Sequence, residues 1–167
     1  MKKFLRYSGI CALLLALVAF ILMMATPAIV GTNSDFAVKG TIAVFGGSEK
    51  IFGALAVTYS PSALALIGWI LGLAGLIIVL CGVVLPLLKV KALVKFAGLL
   101  NLIAVICFVI AGIFMFIVIP TWFGANNMDV PDNVAIGAGW IVGAILYIAA
   151  GVVAILPAAA DFMAKKK

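Results

Sequence analysis

Residues 62–86 read SALALIGWILGLAGLIIVLCGVVLP, a run without Asp, Glu, Lys, Arg or His. A helix needs about 20 mainly apolar residues to cross a hydrocarbon core about 30 Å thick, so this run is long enough to span a membrane. Because lipid offers the backbone no hydrogen-bonding partners, such a segment satisfies its own N–H and C=O groups as a helix. The run therefore predicts a transmembrane helix.

Three further runs of the same kind occupy residues 8–28, 96–120 and 134–157, and none of them carries a charged side chain. They lack the alternation of polar and apolar residues that marks the strands of a membrane barrel. The predicted fold is thus an all-α membrane protein, a four-helix transmembrane bundle that forms a single domain over residues 1–167.

The composition excludes the other broad classes. Of 167 residues, 68% are apolar, and only 11 are basic and 5 acidic. A soluble domain is about 25% charged and about half apolar, so this chain has too little polar surface to cover a water-soluble globule. Disordered chains are poor in apolar residues, which excludes disorder as well.

The positions of the charges predict the orientation. Nine of the eleven basic residues lie before the first span, in the loop 87–95, or after the fourth span, together with one acid, Asp161. Loops 29–61 and 121–133 carry the remaining two basic residues and four acids. Cytoplasmic loops are rich in Lys and Arg, so both termini and loop 87–95 are predicted to face the cytoplasm at the cell (plasma) membrane.

The same clusters identify the expected partners. Short basic clusters beside membrane spans are attracted to anionic headgroups, so membrane lipids are predicted partners. Nucleic acid, the other common partner of a basic protein, is not predicted.

The first span has a second interpretation. A basic start, an apolar run and the small residue Ala28 after Pro27 are also typical of a cleaved secretory signal. The retained helix is the preferred prediction, and cleavage after Ala28 would leave three spans.

The first outer loop, 29–61, contains two β-branched and aromatic runs, 36–45 and 50–59, around Gly46-Gly47-Ser48-Glu49. This pattern predicts a β-hairpin with its turn at those four residues. A re-entrant or interfacial segment is the alternative.

The second and fourth spans resemble each other. The sequence GWILG at 68–72 is matched by GWIVG at 139–143, and in each span a proline stands 18 residues after the first glycine. We interpret this as a duplicated two-helix hairpin, an arrangement known among transporters.

Small residues mark the predicted contacts between helices. Because lipid tails are as apolar as leucine, helices associate in a membrane through close approach at small residues. The glycines of the second and fourth spans follow helical spacing, and the candidate helix-packing residues are Gly68, Gly72, Gly75, Gly82, Gly139 and Gly143. Packing within one bundle is the first interpretation of these faces, and self-association is the second.

Other side chains offer little chemistry. Asn101 is the one strongly polar residue inside a span, and an interhelical polar contact is predicted for it. The cysteines Cys11, Cys81 and Cys107 all lie inside spans, without metal-binding spacing. With no histidine in the chain and no acid or lysine within a span, the sequence predicts no enzymatic activity, catalytic residue, metal or cofactor.

The layout of four spans, internal termini, a long first outer loop with a strand pair and a short basic inner loop resembles the claudin and peripheral-myelin-protein type of tetraspan. The resemblance covers the whole chain as a layout. The family's first-loop Trp and Cys signature is missing, since residues 29–61 contain neither. No functional residue of the family is therefore carried over.

Two functions follow as expectations. The first is a non-enzymatic integral membrane protein that acts through helix packing, as a self-associating tetraspan or an accessory subunit of a membrane complex. The alternative is a small channel or carrier for neutral or apolar solutes, formed between the repeat halves or in an oligomer.

Overall fold

The computed structural model of the chain describes residues 2–33, 36–51, 55–87 and 96–164. Most of these residues are helical, and short antiparallel strands occupy one end of the molecule. In chain order the elements are α1 (Lys2–Ala25), β1 (Pro27–Gly31), β2 (Ala37–Lys39), α2 (Gly40–Phe45), β3 (Gly47–Ile51), β4 (Leu55–Tyr59), α3 (Ala63–Leu87), α4 (Ala97–Phe116), α5 (Val118–Ala125), β5 (Val134–Ile136) and α6 (Ala138–Ala164).

Four helices, α1, α3, α4 and α6, are long and apolar enough to cross a membrane, as the sequence predicted. They alternate in direction, so all the strands of the described residues lie at one end of the bundle, which we call the sheet end. At the opposite end, the lysine end, α1 begins and α6 finishes. Most of the predicted cytoplasmic loop, residues 88–95, and Lys165–Lys167 lie outside the described residues.

The helices pack around an aromatic and alanine-rich core. Side chains on their outer faces are mainly large aliphatic residues with a third or more of their surface exposed. The interior holds small residues beside a few large ones, of which Trp122, Trp140, Tyr147 and Phe108 are fully buried. An apolar exterior around a close-packed interior is the distribution expected of a bundle whose solvent is lipid.

Three helices have different ends from those expected. In the third span, expected at residues 96–120, α4 ends at Phe116, and the separate helix α5 continues to Ala125 in what was expected to be loop. The helix of the first span stops at Ala25 instead of residue 28. There the Thr26 hydroxyl donates a hydrogen bond to the Leu22 carbonyl over 2.7 Å, and Pro27 opens β1. The fourth span was expected to begin at residue 134, but residues 134–136 are a strand and the helix starts at Ala138.

Strand β1 joins the two connections at the sheet end. It is the central strand of a three-stranded antiparallel sheet with the order β2-β1-β5, in which Ile29 pairs with both Val38 and Ile136. The Thr32 N–H extends the pairing with a 2.8 Å hydrogen bond to the Asn133 carbonyl. The segment after α1 and the segment before α6 therefore form one unit, although they are about a hundred residues apart.

The predicted hairpin of the first loop is wrong in two respects. Residues 40–45 form α2 instead of continuing a strand, and residues 47–49, expected in the turn, belong to β3 (Gly47–Ile51). A hairpin does form, but between β3 and β4, with Gly47 opposite Tyr59 and its turn outside the described residues.

The physical reason lies in burial and in the backbone at Gly46. Ile42, Ala43 and Val44 are buried consecutively, a pattern that an alternating strand cannot produce. Buried on several sides, this segment satisfies its backbone groups internally as a helical turn. Gly46 ends the helix with φ 72°, a conformation that favours glycine.

The matching segments GWILG (68–72) and GWIVG (139–143) lie in α3 and α6, and their tryptophans make comparable contacts. Trp69 of α3 contacts α1 through the Phe20 ring, with ring centres 5.8 Å apart. Trp140 of α6 contacts α4, where its indole N–H donates a 2.9 Å hydrogen bond to the Met115 carbonyl. Each tryptophan thus faces the other helix of its own predicted hairpin, as a duplication requires. The duplication itself stays a prediction.

Glycine is required where α6 meets β1. A Cβ added at Gly137 would collide with the Pro27 carbonyl oxygen and lie 3.0 Å from its carbon, whereas one added at Gly124 would meet nothing within 4 Å. Since the atoms at Gly137 belong to the backbone, they cannot move aside as a flexible side chain could.

We expect Gly137→Ala to lower the free energy of unfolding by about 1–3 kcal/mol, the usual cost of overpacking. The matched control Gly124→Ala places its methyl group in open space in a helix, and should be neutral or stabilise by up to about 1 kcal/mol. Thermal unfolding in nonionic detergent, followed by circular dichroism, measures both. Equal melting temperatures for the two variants would contradict the described junction.

Candidate functional site

The four glycines predicted on α3 all face other helices of the same chain. A Cβ added at Gly68 would lie 3.4 Å from Phe114, and one at Gly75 would lie 2.6 Å from the Phe108 ring, both on α4. At Gly72 it would collide with the Tyr147 hydroxyl of α6. Two of the large side chains at the centre of the bundle, Phe108 and Tyr147, therefore lie against the glycine face of α3.

The glycines of α6 also lie at helix contacts. A Cβ at Gly139 would lie 2.5 Å from the Thr26 side chain at the end of α1. At Gly143 it would lie 3.0 Å from the Met115 methyl group of α4 and 3.4 Å from the Ala19 carbonyl oxygen of α1. These contacts place both glycines inside the bundle, where they bring α6 close to α1 and α4.

Asn101 is buried inside the bundle near the lysine end, with 3% of its surface exposed. Its side chain faces α3, and a Cβ added at Gly82 would lie 2.5 Å from its Oδ1 atom. The structure thus brings together Gly82 and Asn101, two residues that the sequence singled out separately. A hydrogen bond from this amide across the helices stays a prediction.

The centre of the bundle is filled by rings. Tyr147 and Phe108 are stacked, with ring centres 5.9 Å apart and planes 25° apart. The Tyr147 hydroxyl is buried against Gly72 and has no hydrogen-bond partner among the described residues. The Tyr147 hydroxyl therefore occupies the space that the Cβ of any residue other than glycine would need at position 72.

A second feature, which the sequence did not predict, is a cavity of about 300 Å³ at the sheet end. We call it the aromatic pocket. It lies between α5, the end of β4, the residue before β2 and the segment 128–134, and its walls include Phe36, Tyr59, Trp122, Phe123, Met128 and Asn133. Its volume is at the lower limit of ligand sites in proteins.

The rings of the pocket are inclined to one another. Tyr59 and Trp122 have ring centres 5.2 Å apart and planes at 44°. Trp122 and Phe123 have ring centres 5.1 Å apart and planes at 88°. The rings therefore form walls at different angles instead of a flat stack.

Hydrogen bonds hold the pocket's walls in place. The Asn126 side chain accepts a 2.7 Å hydrogen bond from the Ser60 N–H and donates one of 3.1 Å to the Ser60 carbonyl, which ties α5 to the end of β4. The Met128 N–H donates to the Phe123 carbonyl over 3.0 Å. On the other side, β5 is paired with β1. The pocket is preformed by these contacts.

Sequence reasoning missed the pocket because its residues come from three separate segments. Trp122 and Phe123 are adjacent aromatic residues at the end of a span, a pattern that indicates an interfacial belt facing headgroups. The structure buries both of them instead. The one available signal was the concentration of aromatic residues in loops that carry more acids than bases.

In the described part of the chain, no three His, Cys, Asp or Glu side chains come together. Cys11 and Cys81 are exposed on the helix surfaces, and Cys107 is buried.

The chain matches no protein-family model and no curated protein. The four helices fit a tetraspan layout, and the likeness to the claudin type is one of layout alone.

We expect Gly72→Ala to destabilise the protein by about 1–3 kcal/mol, because the new methyl group overlaps the Tyr147 hydroxyl. Gly68→Ala, one turn away on the same face, is the matched control, since its methyl group would make ordinary contacts. Both are measured by thermal unfolding in detergent.

A second substitution tests the cause. Tyr147→Phe removes the hydroxyl, so it should recover part of the stability lost in Gly72→Ala while costing little by itself, since that hydroxyl has no partner among the described residues. Strictly additive effects of the two substitutions would show that the hydroxyl is not what excludes a side chain at position 72.

Proposed function

We propose that this chain is a non-enzymatic integral membrane protein that acts by associating with other membrane chains, as an accessory subunit or with its own copies. The observation that carries the proposal is the packed interior. Tyr147, Phe108 and Trp140 fill the centre, and the glycines of α3 and α6 are taken up by contacts within the chain. The surfaces available to a partner are therefore the outer helix faces and the sheet end.

The chemistry of the spans supports the same proposal. Catalysis and ion-coupled transport in membranes commonly use acidic, basic or histidine side chains at depth, and the four predicted spans contain no Asp, Glu, Lys, Arg or His. The alternative, a channel or carrier for neutral solutes, receives less support. Asn101, the polar residue that could line a path, is buried against Gly82 within the described bundle.

The structure also bears on how association would occur. The glycine faces, which would be the natural sites for close contact between two chains, are occupied inside the bundle. An associating partner would instead meet aliphatic side chains such as Leu14, Ile77, Ile106 and Val152, each with about half of its surface exposed. Aliphatic side chains are as apolar as lipid tails, so these contacts do not by themselves distinguish a partner from lipid. Specificity for a partner would come from the shape of one helix face or from the sheet end.

Photo-crosslinking in the native membrane tests the association. A benzophenone amino acid is placed at one exposed position of each span: Leu14, Ile77, Ile106 or Val152. We expect protein adducts from one or two of these faces and lipid adducts from the others, since a specific partner covers only part of the bundle.

Mass spectrometry of the adducts distinguishes a second copy of this chain from a different subunit. A benzophenone at Gly124, which faces open space at the sheet end, reports whether that end takes part. If all five positions give only lipid adducts and native mass spectrometry after mild extraction finds a monomer, the proposed function is wrong.

We further propose that the sheet end faces the outside of the plasma membrane and that both termini are cytoplasmic. The support is the distribution of charge along the sequence. Nine of the eleven basic residues lie before the first span, between the second and third spans or after the fourth, and four of the five acids lie in the other two connections.

Labelling with a membrane-impermeant maleimide tests the orientation in a variant whose three cysteines are replaced by serine. We expect Asn33→Cys, at the sheet end, to react in intact cells, and Lys166→Cys to react only after the cells are permeabilised. The reverse pattern would overturn the orientation.

A further inference from the structure

A groove of about 280 Å³ lies between α1 and α6 toward the lysine end, and it is lined by Tyr7, Ser8, Cys11, Val153 and Leu156. We propose that this α1–α6 groove binds an anionic phospholipid, with part of an acyl chain in the groove and the phosphate at the basic ends of the two helices. The proposal does not rest on the proposed association with other chains, since a lipid can occupy the groove of a monomer.

The lining of the groove suits a hydrocarbon chain. The surface that the groove presents is apolar. Tyr7 and Leu156 have 64% and 45% of their surface exposed, and Cys11 is exposed as well, so the groove opens onto the outer surface of the bundle. A ligand can therefore reach these side chains directly. The four helices are long and apolar enough to span a membrane, where this outer surface meets acyl chains.

Helix geometry places the basic residues of α1 at the lysine end of the groove. The helix begins at Lys2. Residues four apart are neighbours on a helix surface, so Lys3 adjoins the lining residue Tyr7. With a rise of 1.5 Å per residue, the Lys2, Lys3 and Arg6 positions all lie within about 8 Å of Tyr7 along the helix axis.

The other helix of the groove adds charge of the same sign. Because α6 runs antiparallel to α1, it finishes at the end where α1 begins, and Lys165–Lys167 follow it in sequence. Asp161, the acid of this region, lies two turns after the buried Ala154, on a different face of α6 from Val153. The ends of the two helices thus carry six basic residues and one acid.

These two features match the two parts of an anionic phospholipid. An acyl chain fits apolar walls, and basic residues beside a membrane span attract an anionic headgroup. A zwitterionic headgroup carries no net charge, so it gains less from the same residues. We therefore infer a preference for anionic lipid at this groove over the rest of the lipid-facing surface.

Alkylation of Cys11 tests the proposal, because Cys11 lines the groove and Cys81, exposed on α3, does not. N-ethylmaleimide is added to the full chain in maltoside micelles that contain phosphatidylglycerol or phosphatidylcholine, and peptide mass spectrometry gives both alkylation rates in one sample. We expect phosphatidylglycerol to slow Cys11 at least about threefold relative to Cys81, and phosphatidylcholine to change that ratio by less than about 1.5-fold.

Three results would overturn the proposal: no slowing of Cys11, equal slowing of the two cysteines by phosphatidylglycerol, or equal slowing of Cys11 by both lipids. The chain is studied alone in micelles, so this outcome is separate from that of the cross-linking experiment, which asks for protein partners.

Substitutions that fill the groove locate the binding. Native mass spectrometry of the chain titrated with phosphatidylglycerol should show one retained lipid. Val153→Trp places an indole in the groove and should raise the lipid concentration for half-occupancy about tenfold, because apolar contact is lost. Val152→Trp is the matched control, since Val152 is 58% exposed and does not line the groove. Equal weakening in the two variants would contradict the assignment to this groove.

Charge substitutions test the headgroup contact without changing the groove. Lys2→Gln with Lys3→Gln should weaken phosphatidylglycerol binding about tenfold at low salt and less at high salt, because exposed charges are screened. Lys39→Gln with Lys50→Gln removes the same charge at the sheet end and should leave binding unchanged. If both double changes weaken binding equally, net charge alone attracts the lipid and the proposed site is wrong.

Discussion

The structure depends on one constraint: helices surrounded by lipid gain little from burying apolar side chains against each other, so they associate through close contact. In this chain the close contact is made by glycine and alanine on one helix and by large rings on the next. Phe108 of α4 rests on Gly75, and Tyr147 of α6 rests on Gly72. Each of these large side chains thus packs against a position of α3 that has no side chain. These contacts hold α3, α4 and α6 together.

The sheet end solves a different problem. Parts of both connections are buried at that end, and buried backbone groups need hydrogen-bond partners. Strand β1 supplies partners to both connections at once, through β2 on one side and β5 on the other. The short helix α2 satisfies its own backbone between the ends of α1 and α3, where Phe45 meets Trp69 with ring centres 5.0 Å apart. The first connection is thereby anchored to the bundle, and the second is anchored to the first.

Prediction from sequence succeeded where a local rule applies to every residue of a segment. The four spans follow from the length of the uncharged runs, and the helical spacing of Gly68, Gly72, Gly75 and Gly82 places them on one face. It failed where distant contacts decide the outcome. Residues 40–45 read as a strand because they are β-branched and aromatic, but burial between two helices makes them a helix. The aromatic pocket could not be predicted because Phe36, Tyr59 and Trp122 come from three separate segments, which contacts such as the pairing of β1 and the Asn126–Ser60 hydrogen bonds bring together.

The sequence by itself determined that the chain suits a membrane, which four segments are long and apolar enough to cross it and which small residues can lie at helix contacts, because lipid imposes the same requirements on every span. Only the tertiary structure decided which helix meets each small residue. In it the candidate glycines of α3 and α6 face other helices of the same chain, so they hold one bundle together instead of facing another chain. It also moved Trp122 and Phe123 from an expected lipid interface into the wall of a cavity. The physical reason is that such contacts join residues far apart in the chain, and their geometry is set by packing that no single segment contains.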